Sequence, residues 1–466
     1  GGPTQAPHAA LRPEGSGQAF VQLFEWSWPD VATECEAWLG PKGFTAVQVS
    51  PPTEHITGRE WWTRYQPVSF NLTSRSGDEA AFKSMIQRCN AAGVGVYVDA
   101  VINHCAHGSG VGVAGSHYGG RSFPLFGPED FHHDPADLSS NCVVQNYSDV
   151  QEVQSCDLLG MPDLCTECEH VQEVLASYLR RLADLGAAGV RVDAAKHLEP
   201  LALSKVLART GRELHLVQEV IQEMQGPQAS AYFSMGHVTE FDYGKQLERG
   251  LAARGHLRRL RIFGKALGLM PAGNAVVFVD NHDTQRELGK QLTHKSPQLY
   301  TLANIFMLAH PYGYPQLMSS FPFQTFRQGP PHEAVHGFGG ELRCGPQGPW
   351  LCEHRWPAIA NMVAWRRAAG NASLSLAKVL DADTMVLCRG TAACAVLHRG
   401  EEGPRALELN LPLAPGSYCD VVQSDADGCP KVLVGEGGAT RLQVPPLGAV
   451  ALHVGARRGT SSFRTA

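Results

Sequence analysis

Ala188-Gly189-Val190-Arg191-Val192-Asp193-Ala194-Ala195-Lys196-His197 begins as a short β-rich run and ends among ionisable groups. A strand repeats every two residues, so Arg191 and Asp193 share one face while Val190 and Val192 share the other. Burying an unpaired Arg or Asp costs on the order of several kcal/mol. The run therefore reads as a buried strand delivering charge to a functional end, with a structural ion pair as the alternative.

Runs of the same kind recur outward from it, at 19–26 (AFVQLFEW), 46–50, 94–102, 214–220, 238–243, 275–280 and 314–319. Helical spacing separates them. Phe82, Met85, Ile86 and Cys89 form one stripe stopped by Gly93; Val171, Val174, Leu175, Tyr178, Leu179 and Leu182 form another stopped by Gly186. With 188–193, eight alternating units predict an α/β fold, a (β/α)8 TIM barrel. Residues 103–163 are dense in Gly, His, Pro and Asp without helical period, and read as a lobe inserted after the third strand. Short alternating runs over 371–466 predict a C-terminal all-β sandwich with a short tail. The barrel would then occupy 18–102 and 164–370, preceded by a loose Pro- and Gly-rich arm over 1–17.

A net charge of −6 leaves no basic stripe for phosphates, so nucleic acid is not an expected partner. No eighteen-residue apolar run predicts a membrane span, and a monomer is expected. The start Gly1-Gly2-Pro3-Thr4 lacks the charged and apolar regions of a signal peptide, so the chain reads as already processed. Thirteen Cys, and sequons at Asn71, Asn146 and Asn371, point to an oxidising, secretory or digestive compartment. Cys165 and Cys168 form a C-x2-C, but no second pair accompanies it as a zinc ribbon requires.

Barrel chemistry sits at the C-terminal ends of the strands. Four of those ends carry Asp99 to His104, Asp193, Gln218-Glu219-Val220, and Asp280-Asn281-His282-Asp283. Converging carboxylates suit glycoside hydrolysis, in which one acid protonates the leaving oxygen and another attacks or shields the anomeric carbon. Trp61-Trp62-Thr63-Arg64-Tyr65-Gln66, after the second strand, supplies aromatic faces for sugars, or else core packing beneath a loop.

These four strand ends resemble the signature regions of the α-amylase family of glycoside hydrolases, in particular its animal-type subgroup. Phe24-Glu25-Trp26, Leu39 to Phe44, Val47 to Pro52, Trp61 to Ser69, Phe278 to Asp283 and Cys352 to Trp356 extend the likeness over residues 18 to 455. The resemblance implies endo-hydrolysis of α-1,4-glucosidic bonds in starch, glycogen and maltooligosaccharides, with retention. Asp193 would be the nucleophile, Glu219 the general acid/base and Asp283 the third acid. Burial and acidic neighbours would keep Glu219 protonated, and Arg191 would favour ionised Asp193. Trp61, Trp62, Tyr65, Gln66, His104, Arg191, Lys196, His197 and His282 would contact an α-glucan.

The resemblance also implies a structural Ca2+ held by the side chains of Asn103 and Asp163 and the carbonyls of Gln154 and His197, a hard oxygen set. It implies disulfides Cys35–Cys89, Cys142–Cys156, Cys344–Cys352 and Cys419–Cys429. Thr73 stands where many animal members have Cys, and Cys105, Cys165, Cys168, Cys388 and Cys394 are left without assigned partners. Chloride is not expected: Arg191 and Asn281 match two of the subgroup's chloride ligands, but Gln316 replaces the second cation. A transglycosylase using the same residues, and an inactive binding protein, are the alternatives.

Overall fold

The structure is a computed structural model describing residues 18–286 and 291–458. The arm expected over 1–17, and the chain beyond 458, lie outside the described residues. Eight parallel strands close into a barrel: β1 (Phe20–Leu23), β2 (Ala46–Val49), β3 (Gly95–Ala100), β4 (Gly189–Val192), β5 (His215–Gln218), β6 (His237–Thr239), β7 (Ala275–Val277) and β8 (Tyr314–Ser319). Each pairs with its sequence neighbours, and β8 closes on β1 with Gln316 opposite Phe20. The strands are buried throughout or nearly so, which is why they read as continuous apolar runs. Helix Glu79–Ala91 starts where Asp78 accepts from the Ala81 N–H, and it buries Phe82, Met85, Ile86 and Cys89 as the stripe predicts.

The run at 275–280 is strand only to Val277, and two further readings also differ. The run at 238–243 is strand only to Thr239, because Glu240 accepts from the Asp242 N–H and caps a helix over Phe241–Leu251. The inserted lobe, read as free of helix, contains a short one at Val150–Ser155, capped by Asp149.

Beyond the barrel, β9 (Leu374–Val379), β10 (Thr384–Arg389), β11 (Ala393–His398) and a strand at Gly448–His453 form one antiparallel sheet. A five-stranded sheet packs on it through Val386, Val396, Tyr418 and Val444, completing a sandwich. The last barrel helix, Pro357–Ala369, joins the two domains. The indole N–H of Trp365 donates to the carbonyls of Cys394 and Leu452 in the sandwich, while the buried Arg366 donates to those of Gln18, Met307, Leu308, His310 and Gly313 in the barrel.

All four disulfides implied by the resemblance are present, together with Cys165–Cys168 and Cys388–Cys394. The last bridges residues directly opposite each other on β10 and β11. Cys105 is free and buried. Among the described residues no helix is long and apolar enough to cross a membrane.

Candidate active site

The strand ends converge on Arg191. Its Nη1 donates to Asp99 Oδ1 at 2.6 Å and to Asp193 Oδ1 at 2.9 Å, and its Nη2 lies 2.9 Å from Glu219 Oε1. Arg191 is 3% exposed and lies beneath the acids, so it supports them and does not line the cleft. Period-two geometry thus places Arg191 and Asp193 together, as the sequence predicts. Immediately after Asp193, Ala194 adopts φ 49°, ψ 33°, a left-handed conformation uncommon for a residue with a Cβ. That turn aims the Ala194 N–H at Glu219 Oε2, 2.8 Å away.

Asp99, Asp193 and Glu219 contact one guanidinium, and Asp283 lies near enough to feel its charge. Burial and the neighbouring Glu219 carboxylate push the Asp193 carboxyl well above its usual range, with Arg191 opposing. Burial and Glu219 likewise raise Asp283 to about 7, against Arg191 and Arg286. The expectation that Arg191 favours ionised Asp193 is therefore met in sign of interaction but outweighed in sum.

Above these acids lies a cleft of 730 Å³. Trp61, Trp62, Tyr65, Gln66, His104, Lys196, His197 and His282 all line it beside Asp193, Glu219 and Asp283. Trp61 is mostly packed and Trp62 more open, so the adjacent tryptophans divide between support and contact. Tyr65 donates from its hydroxyl to Asp99 Oδ2 at 2.9 Å and stacks on His282. Burial keeps His104 (to about 4) and His197 (to about 3) neutral.

Sequence reasoning did not find His107, Tyr147, Leu158, Leu159, Met161, Ile221, Phe326 and Arg327, which together with Ala194 complete the lining. They lie outside the regular strands and helices and carry no periodic signal. Tyr147 lies under the Lys196 ammonium at 4.8 Å, and the Phe326 carbonyl accepts from the Trp61 indole N–H at 2.8 Å.

The lobe meets the barrel at the four residues expected to bind calcium. Asn103 Nδ2 lies 2.9 Å from Asp163 Oδ1, and the Leu164 N–H donates to the Asn103 carbonyl. His197 Nδ1 bonds the Val153 carbonyl at 2.9 Å, bringing that segment to the helix containing Gln154. The Gln154 carbonyl falls in the last turn of its helix, where carbonyls lack an intrahelical partner. Burial raises Asp163 to about 7 despite His132, the condition a divalent cation would relieve. These residues fit a hard, oxygen-binding ion. His132, Cys165 and Glu167 also cluster, but the Cys165 sulfur is bonded to Cys168, which removes the thiolate a zinc site would need.

Beneath the cleft, the amide of Gln316 donates from Nε2 to Gln22 Oε1 at 3.1 Å. Asn281 Oδ1 accepts from the backbone N–H groups of Asp283 and Thr284.

Residues 43–241 match the family described as "Alpha amylase, catalytic domain", and residues 380–455 match "Alpha amylase, C-terminal all-beta domain". The chain is 39% identical to an α-amylase of Tenebrio molitor, over 94% of this chain and 98% of that one. It is 37% identical to an α-amylase of Pecten maximus, over 96% and 94%. The solved structure of wild-type α-amylase I from Eisenia fetida superposes with a TM-score of 0.87 at 33% identity, covering 95% of this chain and 98% of that one.

Proposed function

The chain belongs to the α-amylase family of glycoside hydrolases, and from that premise we propose that it cleaves internal α-1,4-glucosidic bonds of starch, glycogen and maltooligosaccharides with retention. The observation that carries the reading is one buried guanidinium holding Asp193 and Glu219 on separate nitrogens, each at 2.9 Å, under an aromatic-lined cleft. Carboxyls of a retaining pair stand about 5 to 5.5 Å apart, close enough for one to attack while the other delivers a proton.

Glu219 gives its proton to the glycosidic oxygen as Asp193 attacks C1, forming a covalent glycosyl-enzyme. Water then attacks C1 and gives its proton to Glu219 as the bond to Asp193 breaks. Asp283 and the neutral His104, His197 and His282 take sugar hydroxyls, Lys196 adds a donor, and Trp61, Trp62 and Tyr65 offer faces and edges to the rings, with Gln66 at the margin. Relatives named α-amylase over nearly the full chain do not favour the transglycosylase or inactive readings.

Calcium is typical of the family. Here the Asn103 and Asp163 side chains and the Gln154 and His197 carbonyls would hold it, and it would tie the lobe to the barrel without entering the chemistry. Chloride is not expected to be needed: Gln316 is neutral and donates its amide to Gln22, so the second cation is missing. The disulfides suit a secreted enzyme.

Incubation with maltoheptaose tests the reading, with reducing ends counted and the anomeric form of fresh product read by proton NMR. New reducing ends born in the α-form are expected; β-form product would refute retention, and no product would refute hydrolysis.

A further inference from the structure

His282 is a neutral imidazole in a slot that fixes its plane but not its proton. Its ring lies against Tyr65 at 5.2 Å and Phe24 at 5.0 Å, with Trp61 edge-on at 5.7 Å. Burial, with the positive Arg191 and Arg286 nearby, holds it far below the usual imidazole range, so it carries one N–H. Which nitrogen bears that proton decides what the cleft can do, because only a protonated Nε2 donates towards the acids and a bound sugar.

We propose that Gln22 and Gln316 are positioning residues, a buried amide relay that keeps the His282 proton on Nε2. Gln316 Nε2 donates to Gln22 Oε1 at 3.1 Å, and Gln22 Nε2 lies 3.1 Å from His282 Nδ1. All three side chains are buried. Two amides in series have two self-consistent orientations, one donating to Nδ1 and one accepting from it. The Gln316 amide selects between them. His282 Nε2 lies 3.2 Å from Asp283 Oδ2 on the far side of the ring. With Gln316 donating into its oxygen, Gln22 turns its NH2 to Nδ1, which presents its lone pair and leaves the proton on Nε2. A flip of Gln22 alone would set two NH2 groups face to face. The relay runs from β8 through β1 to the mouth of β7.

This inference rests on the assignment of His282 and Asp283 to the glucan site. The test uses the full chain with 15N-labelled histidine, whose ring shifts report the tautomer, and Gln22→Met, which keeps length but has no donor. The His282 resonances are assigned by their loss in His282→Gln. The wild type should show the Nε2–H form. Gln22→Met should show mixed tautomers and a kcat/KM on maltoheptaose lower by about tenfold, the worth of one hydrogen bond. A packing role alone would lower Tm and leave the tautomer unchanged. A wild-type Nδ1–H form, or a Gln22→Met enzyme with unaltered tautomer or unaltered kcat/KM, would overturn the proposal; if that variant fails to fold, Gln316→Met, which frees the Gln22 amide to turn, is read in the same way. A wild type inactive on starch would instead refute the amylase reading.

Discussion

The backbone N–H of Ala194 donates to Glu219 Oε2 at 2.8 Å, so the residue that follows one acid in the chain holds the other in place. Cβ-bearing residues adopt the Ala194 conformation uncommonly, and here it ties the end of β4 to the end of β5. Glu219→Gln can still accept that bond through its amide oxygen but has no proton to give. Turnover on starch should fall by roughly 10² to 10⁴-fold with Tm near wild type. Asp193→Asn should be at least as impaired, since the nucleophile itself is lost. Near-native turnover in either would remove that residue from the mechanism.

Calcium should raise Tm with the logarithm of its free concentration, because it binds the folded lobe–barrel junction and not the unfolded chain. Asn103→Ala and Asp163→Asn should flatten that dependence, as followed by calorimetry across a calcium series. A chelator without effect on Tm or activity would show that the junction holds no ion.

Activity should not depend on chloride. At an effective dielectric near 20, a cation about 4 Å from an anion contributes on the order of 4 kcal/mol, which neutral Gln316 does not provide. Titrating chloride into halide-free buffer should leave turnover flat in the wild type, whereas Gln316→Arg should acquire saturable activation. Several-fold activation of the wild type would contradict this.

Stability should decline as pH falls below about 6.5. Burial, with Arg64 and Arg75, lowers His55 to about 3; burial, with Arg366 and Arg389, lowers His310 to about 3. A histidine held neutral in the fold binds its proton in the unfolded chain first. The unfolded state therefore gains protons between about 6.5 and 3, and stability is lost as pH drops through that window. His310→Phe keeps the ring packed against Phe263 and Phe306 and should make Tm less steep in pH between 7 and 5. An unchanged slope would show that His310 contributes nothing to it.

The barrel was legible because parallel strands covered on both faces read as unbroken apolar runs, and the acids because a charge ending such a run has few structural explanations. Glu240 shows where reading fails: a cap residue continues the strand pattern in sequence, and only its bond to the Asp242 N–H marks the helix. Gln22 was equally visible as a polar residue inside AFVQLFEW, but an uncharged amide names no chemistry until its partners are seen. Phe326 and Tyr147 reach the cleft from irregular segments, whose course depends on distant contacts such as the Trp61 indole.

Trp365 and Arg366 are consecutive residues whose donors serve opposite domains, the indole reaching Cys394 and Leu452 and the guanidinium reaching Gln18 and His310. One helical turn is thus common property of barrel and sandwich, and neither can lose it alone without stranding buried donors. Heat should therefore melt the molecule in a single cooperative step, and cutting the chain near residue 370 should yield an insoluble barrel, not a smaller enzyme.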